Sequence, residues 1–387
     1  MPGRCALFNL GFRPFFLGAG LFAVIAMGAW TGLGRGAWSL PGSAVPAVMW
    51  HAHEMVYGYG MAVVAGFLLT AAGNWTGTVT ARGAALAAIA GLWLAARVAL
   101  GAGLAIPAAA FDLGFIAALA IAVARPIIRV RQWRQLGILA KLALLGAGNA
   151  MFYAGVLRED AGLMRTATYG GVYLLAALIL TIGARVGPGF IERGAGVPVR
   201  IVEPRWTTPV SIAIFLVFFV LELGGIAPRL AAACAAVLFA VLCVRLYAWH
   251  TPALWRKPLL WGLYLAVAAI AAGFLLRALA DPLALPPSLP LHLFAVGGIG
   301  LATLAMMSRV ALGHSGRDIH APPATVGIAL AWLVAALAAR VLWPLLAPGQ
   351  YAYAIAVAQG CWMIAFALFA FSYAPILWAP RADGKPG

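Results

Sequence analysis

Twelve stretches of this chain are long enough and apolar enough to leave water, and very little sequence lies between them. They run at about 12–31, 50–72, 84–103, 107–124, 136–156, 166–184, 207–223, 229–249, 259–279, 290–308, 324–346 and 351–377. A helix of about 20 apolar residues crosses a bilayer's hydrocarbon core and satisfies its own backbone groups inside it. Hydrophobic residues make up 64% of the 387 and charged residues 9%, whereas a soluble domain carries roughly a quarter charged residues. The expected fold is therefore all-α, a polytopic membrane protein of about 12 transmembrane helices. Residues 1–387 read as a single transmembrane domain, with no separate soluble domain. The first run follows Arg4 and Arg13 as a signal peptide would, but it lacks a small-residue cleavage site and is read as a retained span.

The formal charge of +16 raises the question of nucleic acid. The basic residues stand singly or in small groups between apolar runs, with no continuous basic face, so no nucleic-acid partner is expected and the lipid bilayer is. Counting Lys and Arg on alternate sides, with the N-terminus inside, puts 18 on the inner side against 7 on the outer, with Lys141 inside a run. Both termini are expected to be cytoplasmic. Cys5, Cys234, Cys243 and Cys361 form no CxxC pair and read as small core residues.

That orientation places the histidines. His51 and His53 begin the second run and His292 begins the tenth, which has the same direction, so all three belong to the outer side. His250, His314 and His320 belong to the inner side. A short internal repeat links the two runs. Gly58 and Thr76-Gly77 follow His53 at +5, +23 and +24, and Gly297 and Ser315-Gly316 follow His292 at the same offsets.

Ionisable groups at membrane depth are costly to desolvate and mark functional sites. The segment WHAHEM, Trp50–Met55, sets two imidazoles and Glu54 at a helix start, and imidazole is a common ligand of haem iron and copper. Residues two apart on a helix point about 200° from one another, so His51 and His53 suit two cofactors, or one ligand and a hydrogen-bonded neighbour, better than one shared metal. His292 is the natural opposite axial ligand, which places a haem between the second and tenth helices; capping of helices in the headgroup region is the structural alternative. His314, in LGHSGR, is a candidate for a second haem, or for a propionate contact through Arg309 and Arg317, and equally a turn residue. Arg13, Arg185 and the GNWTG segment are inner-side anchors or sites for an anionic group. Lys141, Asn149 and Glu222 are candidates for a proton or ion route, against simple snorkelling and helix–helix hydrogen bonding. The 45 glycines serve close helix packing or slots for a planar macrocycle.

The opening LFNLGFRPFF, HAHEM with AGFLLTAAGNWTG, ARVGPGF, PLLW and LHLFAVGGIGLATLAMMSRVALGHSGR together resemble the NnrS family of bacterial membrane proteins, over essentially the whole chain. The resemblance implies twelve spans, a bacterial inner-membrane location, a role in denitrification and nitric oxide stress, and haem with copper. It makes His51, His53, His292 and His314 the recurring histidines. One departure is Tyr264, where the family often has a histidine after PLLW. A more distant analogy is to the haem-copper oxidase and nitric oxide reductase superfamily, yet the sixth and seventh runs contain no histidine for a second metal. The expected function is a haem b protein, with one or two haems, whose small-molecule partner is nitric oxide. A haem-dependent nitric oxide reductase or related oxidoreductase, fed by an unidentified electron donor, and a transporter without catalysis are the alternatives.

Overall fold

The computed structural model of the protein describes residues 6–40, 45–385 and 387. Arg4 and Cys5 lie outside them. The chain is 80% helical, with no strand among the described residues. Among the described residues, twelve helices are long and apolar enough to cross a membrane: α1 Phe12–Gly34, α2 Ala47–Thr76, α3 Gly83–Gly101, α4 Ala105–Arg129, α5 Trp133–Leu157, α6 Ala161–Gly194, α7 Thr207–Gly224, α8 Pro228–Trp249, α9 Pro258–Ala278, α10 Ser288–His314, α11 Thr325–Leu346 and α12 Pro348–Trp378. Each coincides with one of the apolar runs, because at membrane depth only helix satisfies the backbone. The protein is a multi-pass membrane protein.

Packing divides the chain into two compact units, and the boundaries fall within helices. One comprises Met1–Leu174, Met307–Pro323 and Phe366–Gly387; the other comprises Leu175–Met306 and Ala324–Ala365. In the first, α2 packs against α1 and α4, and α4 against α3 and α5. In the second, α8 packs against α7 and α9, and α10 against α9 and α11. The most enclosed helices are α2 and α10, with 89% and 72% of their apolar windows buried. Outward side chains such as Ile25, Val98 and Phe371 are exposed, as lipid-facing positions require.

The two enclosed helices share a local device. Immediately after His53, α2 widens into a π-helical segment, Glu54–Gly60; immediately after His292, α10 does the same over Leu293–Gly300. The glycine at +24 has left-handed φ in both, +63° at Gly77 and +72° at Gly316. The internal repeat read from sequence thus has a structural counterpart. A π-segment adds a residue to the turn, re-aims the side chains around it, and is found mostly at functional positions.

Several arginines within the apolar runs are set into helices. Arg13, Arg97, Arg245 and Arg340 are all buried. Arg13 Nη1 donates to the carbonyls of Ile376, Leu377 and Ala379 at 3.3, 3.0 and 2.5 Å, so it caps the C-terminal end of α12. A cation placed there meets unsatisfied carbonyls and the negative end of the helix dipole.

Candidate functional site

Within the first unit, four helices bring polar side chains to one point. His53 and Glu54 come from the start of α2, Arg97 from the end of α3, Asp112 from the start of α4, and Asn149 and Tyr153 from the end of α5. Alternating helix direction makes all four contributions belong to the same face, one to two turns below the helix ends. Every member is fully or nearly buried.

Arg97 is the hub. Its Nη1 donates to Glu54 Oε1 at 2.6 Å, and its Nη2 pairs with Asp112. Tyr153 donates its hydroxyl to Asp112 Oδ2 at 2.7 Å. His53 Nε2 lies 2.9 Å from Asn149 Oδ1 and 3.6 Å from Asp112 Oδ2, and its Nδ1 lies 3.3 Å from Glu54 Oε1. Both ring nitrogens are thus engaged, and the ring is enclosed by Tyr57, Phe152 and Tyr153. Two carboxylates thus face one guanidinium in a buried, low-dielectric place. Gly58 makes the assembly possible: a Cβ there would stand 2.8 Å from Glu54 Oε2 and 2.9 Å from Arg97 Nη1.

His51 lies outside this network. Its ring stacks on Trp30 with centroids 4.7 Å apart and planes 11° apart, and it is half-buried near the helix end.

In the second unit, His292 stands half-buried at the matching place on α10. Its Nδ1 is 2.6 Å from the carbonyl of Ser288, one turn back on its own helix. A carbonyl can only accept, so Nδ1 donates its proton there, the kind of hydrogen bond that orients ligating histidines. Around it the π-segment is apolar. The space a side chain would take at Gly297 is filled by Ala269 and Leu337, at Gly298 by Ile270 and at Gly300 by Trp362. These three glycines admit neighbouring helices.

The other singled-out residues fall elsewhere. His314 is half-buried at the end of α10, its Nε2 3.4 Å from Asn74 Nδ2 and its ring 6.0 Å from Phe12. Arg309 is buried. Arg317 reaches back to the Ser315 carbonyl at 3.5 Å. His250 and Tyr264 adjoin, with rings 6.1 Å apart. His320 is an exposed turn residue whose N–H donates to Asp318. Lys141 donates to the Gly137 carbonyl at 3.3 Å, Glu222 pairs with Arg277 at 2.6 Å, and Asn149 belongs to the His53 network. Among the described residues, no three His, Cys, Asp or Glu side chains gather as a metal site.

Sequence reading missed Arg97 and Asp112. Each is a lone charge in an otherwise apolar run, and an aspartate at depth is itself a signal that a cation must be near.

A family model described as NnrS protein matches residues 6–381. No curated protein matches the chain.

Proposed function

The chain belongs to the NnrS family, and on that footing we propose that it is a haem-binding protein of the bacterial inner membrane that meets nitric oxide, with His292 as an axial ligand. The observation that carries this reading is the 2.6 Å contact from His292 Nδ1 to the Ser288 carbonyl. It holds the ring in the tautomer whose other nitrogen can coordinate iron. When bound, the haem would supply an iron centre able to take a small gaseous ligand.

His53 does not have that form, since both its nitrogens are held by Asn149 and Glu54. His53 is instead the residue that anchors α2 to α4 and α5.

The test is haem content by pyridine haemochrome in the purified wild type beside His292→Ala, His51→Ala and His53→Gln. Loss of most haem in His292→Ala and retention in His53→Gln is the expected result. A wild type without a Soret band would sink the reading, and unchanged spectra in His292→Ala would remove its ligand.

A further inference from the structure

The arginines set into the second unit have carboxylate partners, with an exception. Arg245 Nε donates to Glu203 at 2.8 Å, and Arg277 Nε to Glu222 at 2.6 Å. Arg340 on α11 is only 8% exposed, and among the described residues no carboxylate stands within ion-pair distance of it. Its companions come from one tyrosine: Nη2 is 3.5 Å from the Tyr351 hydroxyl, and the guanidinium carbon is 5.7 Å from that ring's centroid. Its Nη1 is buried with no hydrogen-bond partner. A guanidinium taken out of water without an anion is strongly unfavourable, and neutral partners leave most of that cost standing.

Position says what the anion belongs to. Arg340 lies in a third π-helical segment, Ala338–Leu342, and that segment packs against Ser288–His292, the turn of α10 that presents the histidine. Leu337, the residue just before it, fills the space above Gly297, so α11 approaches α10 as closely as backbones allow. His292 and a guanidinium without a carboxylate partner thus sit on packed turns of one unit. Resting on the haem reading above, we propose that Arg340 receives a carboxylate of the macrocycle held at His292. The planar fork of a guanidinium matches carboxylate geometry, and such charge-assisted hydrogen bonds are the stronger kind. A lipid phosphate is the other source of the same anion chemistry, and the test separates the two.

Membranes holding the full chain, prepared from cells starved of haem, are titrated with haem and with haem dimethyl ester, whose carboxylates are blocked, and followed at the Soret band. The wild type is expected to hold haem about tenfold more tightly than the ester, the ratio that one charge-assisted hydrogen bond supplies. Arg340→Gln is expected to bind both alike, Arg340→Lys to keep part of the preference, and His292→Ala to take up neither. Ester uptake by Arg340→Gln equal to the wild type's shows that the site itself still folds.

A wild type that does not discriminate, or an Arg340→Gln that still does, overturns the proposal while the haem reading stands. A wild type that binds neither porphyrin brings down both. An anionic lipid that copurifies with the wild type and is lost from Arg340→Gln, with haem preference unchanged, assigns Arg340 to the headgroup instead.

Discussion

The π-segments behind His53 and His292 have the same construction and opposite contents. Each starts one residue after a histidine, carries a glycine at +5, and lies on a helix that ends near a left-handed glycine at +24. At Gly58 the space beside the backbone is taken by the ends of Glu54 and Arg97; at Gly297 it is taken by Ala269 and Leu337. Around His53, Arg97 pairs with Glu54 and Asp112, and both imidazole nitrogens are engaged. Around His292 the π-segment is apolar, the ring is oriented by its own helix, and the packed α11 brings Arg340 without a carboxylate partner. A similar π-helical segment therefore adjoins an ion network in one place and, on the reading above, a ligand site in the other.

Breaking the matched site should have the largest effect. Arg97→Met leaves Glu54 and Asp112 buried without their cation, and removing one partner of such a network costs about 3–5 kcal/mol. The expected result is a large drop in thermal midpoint and in yield from membranes. Arg97→Lys should recover only part, since an ammonium cannot fork to two carboxylates. A wild-type midpoint in Arg97→Met would mean that the network is not what holds α2, α3 and α4 together.

The glycines come next, and they distinguish the two sites. In Gly297→Ala the new methyl would meet Ala269 Cβ at 2.5 Å and Leu337 Cδ2 at 2.8 Å. The first of these cannot rotate away, so α9 or α10 must shift, at about 1–3 kcal/mol. In Gly58→Ala the obstacles are side-chain ends, the ring of Phe22 among them, and strain enters the ion network instead. Thermal midpoints should fall in both, but only Gly297→Ala should alter the haem spectrum, because only it lies behind the proposed ligand. A spectral change confined to Gly58→Ala would reverse the assignment of roles.

This contrast explains what the sequence could reveal. All twelve helices were legible, because hydropathy over twenty residues is a direct reading of the solvent that surrounds each helix. The +5 and +24 glycines were legible as spacing, and they correspond to real conformations. The π-segments were not, since an extra residue per turn leaves no compositional trace. Nor was the His53 network: Arg97 and Asp112 are 44 and 59 residues from His53, and only packing brings them to it. The two roles of His51 and His53 could not be separated either, because residues two apart on a helix differ in direction, while the choice between ligand and network member depends on Asn149 and Asp112. Arg340, a lone charge within the eleventh apolar run, has the burial of a core residue. Position relative to a run's end does not reveal which way a long side chain turns.

The far ends of the same two helices differ as well, by a smaller margin. Nothing lies within 4 Å of the place a side chain would occupy at Gly77, whereas at Gly316 the carboxyl of Asp383 lies 2.6 Å away. The C-terminal tail is tied there: Arg381 Nη1 donates to the His314 carbonyl at 2.9 Å, Ala382 N–H to the Ser315 carbonyl at 2.9 Å, and Arg381 Nε to Asp383 Oδ1 at 2.8 Å. The hydrogen bond from Arg381 pulls the Asp383 carboxyl down to about 2 from its ordinary 3.8. A depressed carboxyl contributes above its unfolded value and loses that contribution as pH falls through the folded one. Protection of the Ala382 amide from hydrogen exchange should therefore hold from neutral pH to about 4 and fade toward 2. Asp383→Asn should remove the pH dependence and lower protection throughout, while the thermal midpoint stays within error, as expected for an exposed pair. Protection that is unchanged in Asp383→Asn would show that the backbone bond to Ser315 holds the tail alone, and would leave the two helix ends differing only in what happens to lie over them.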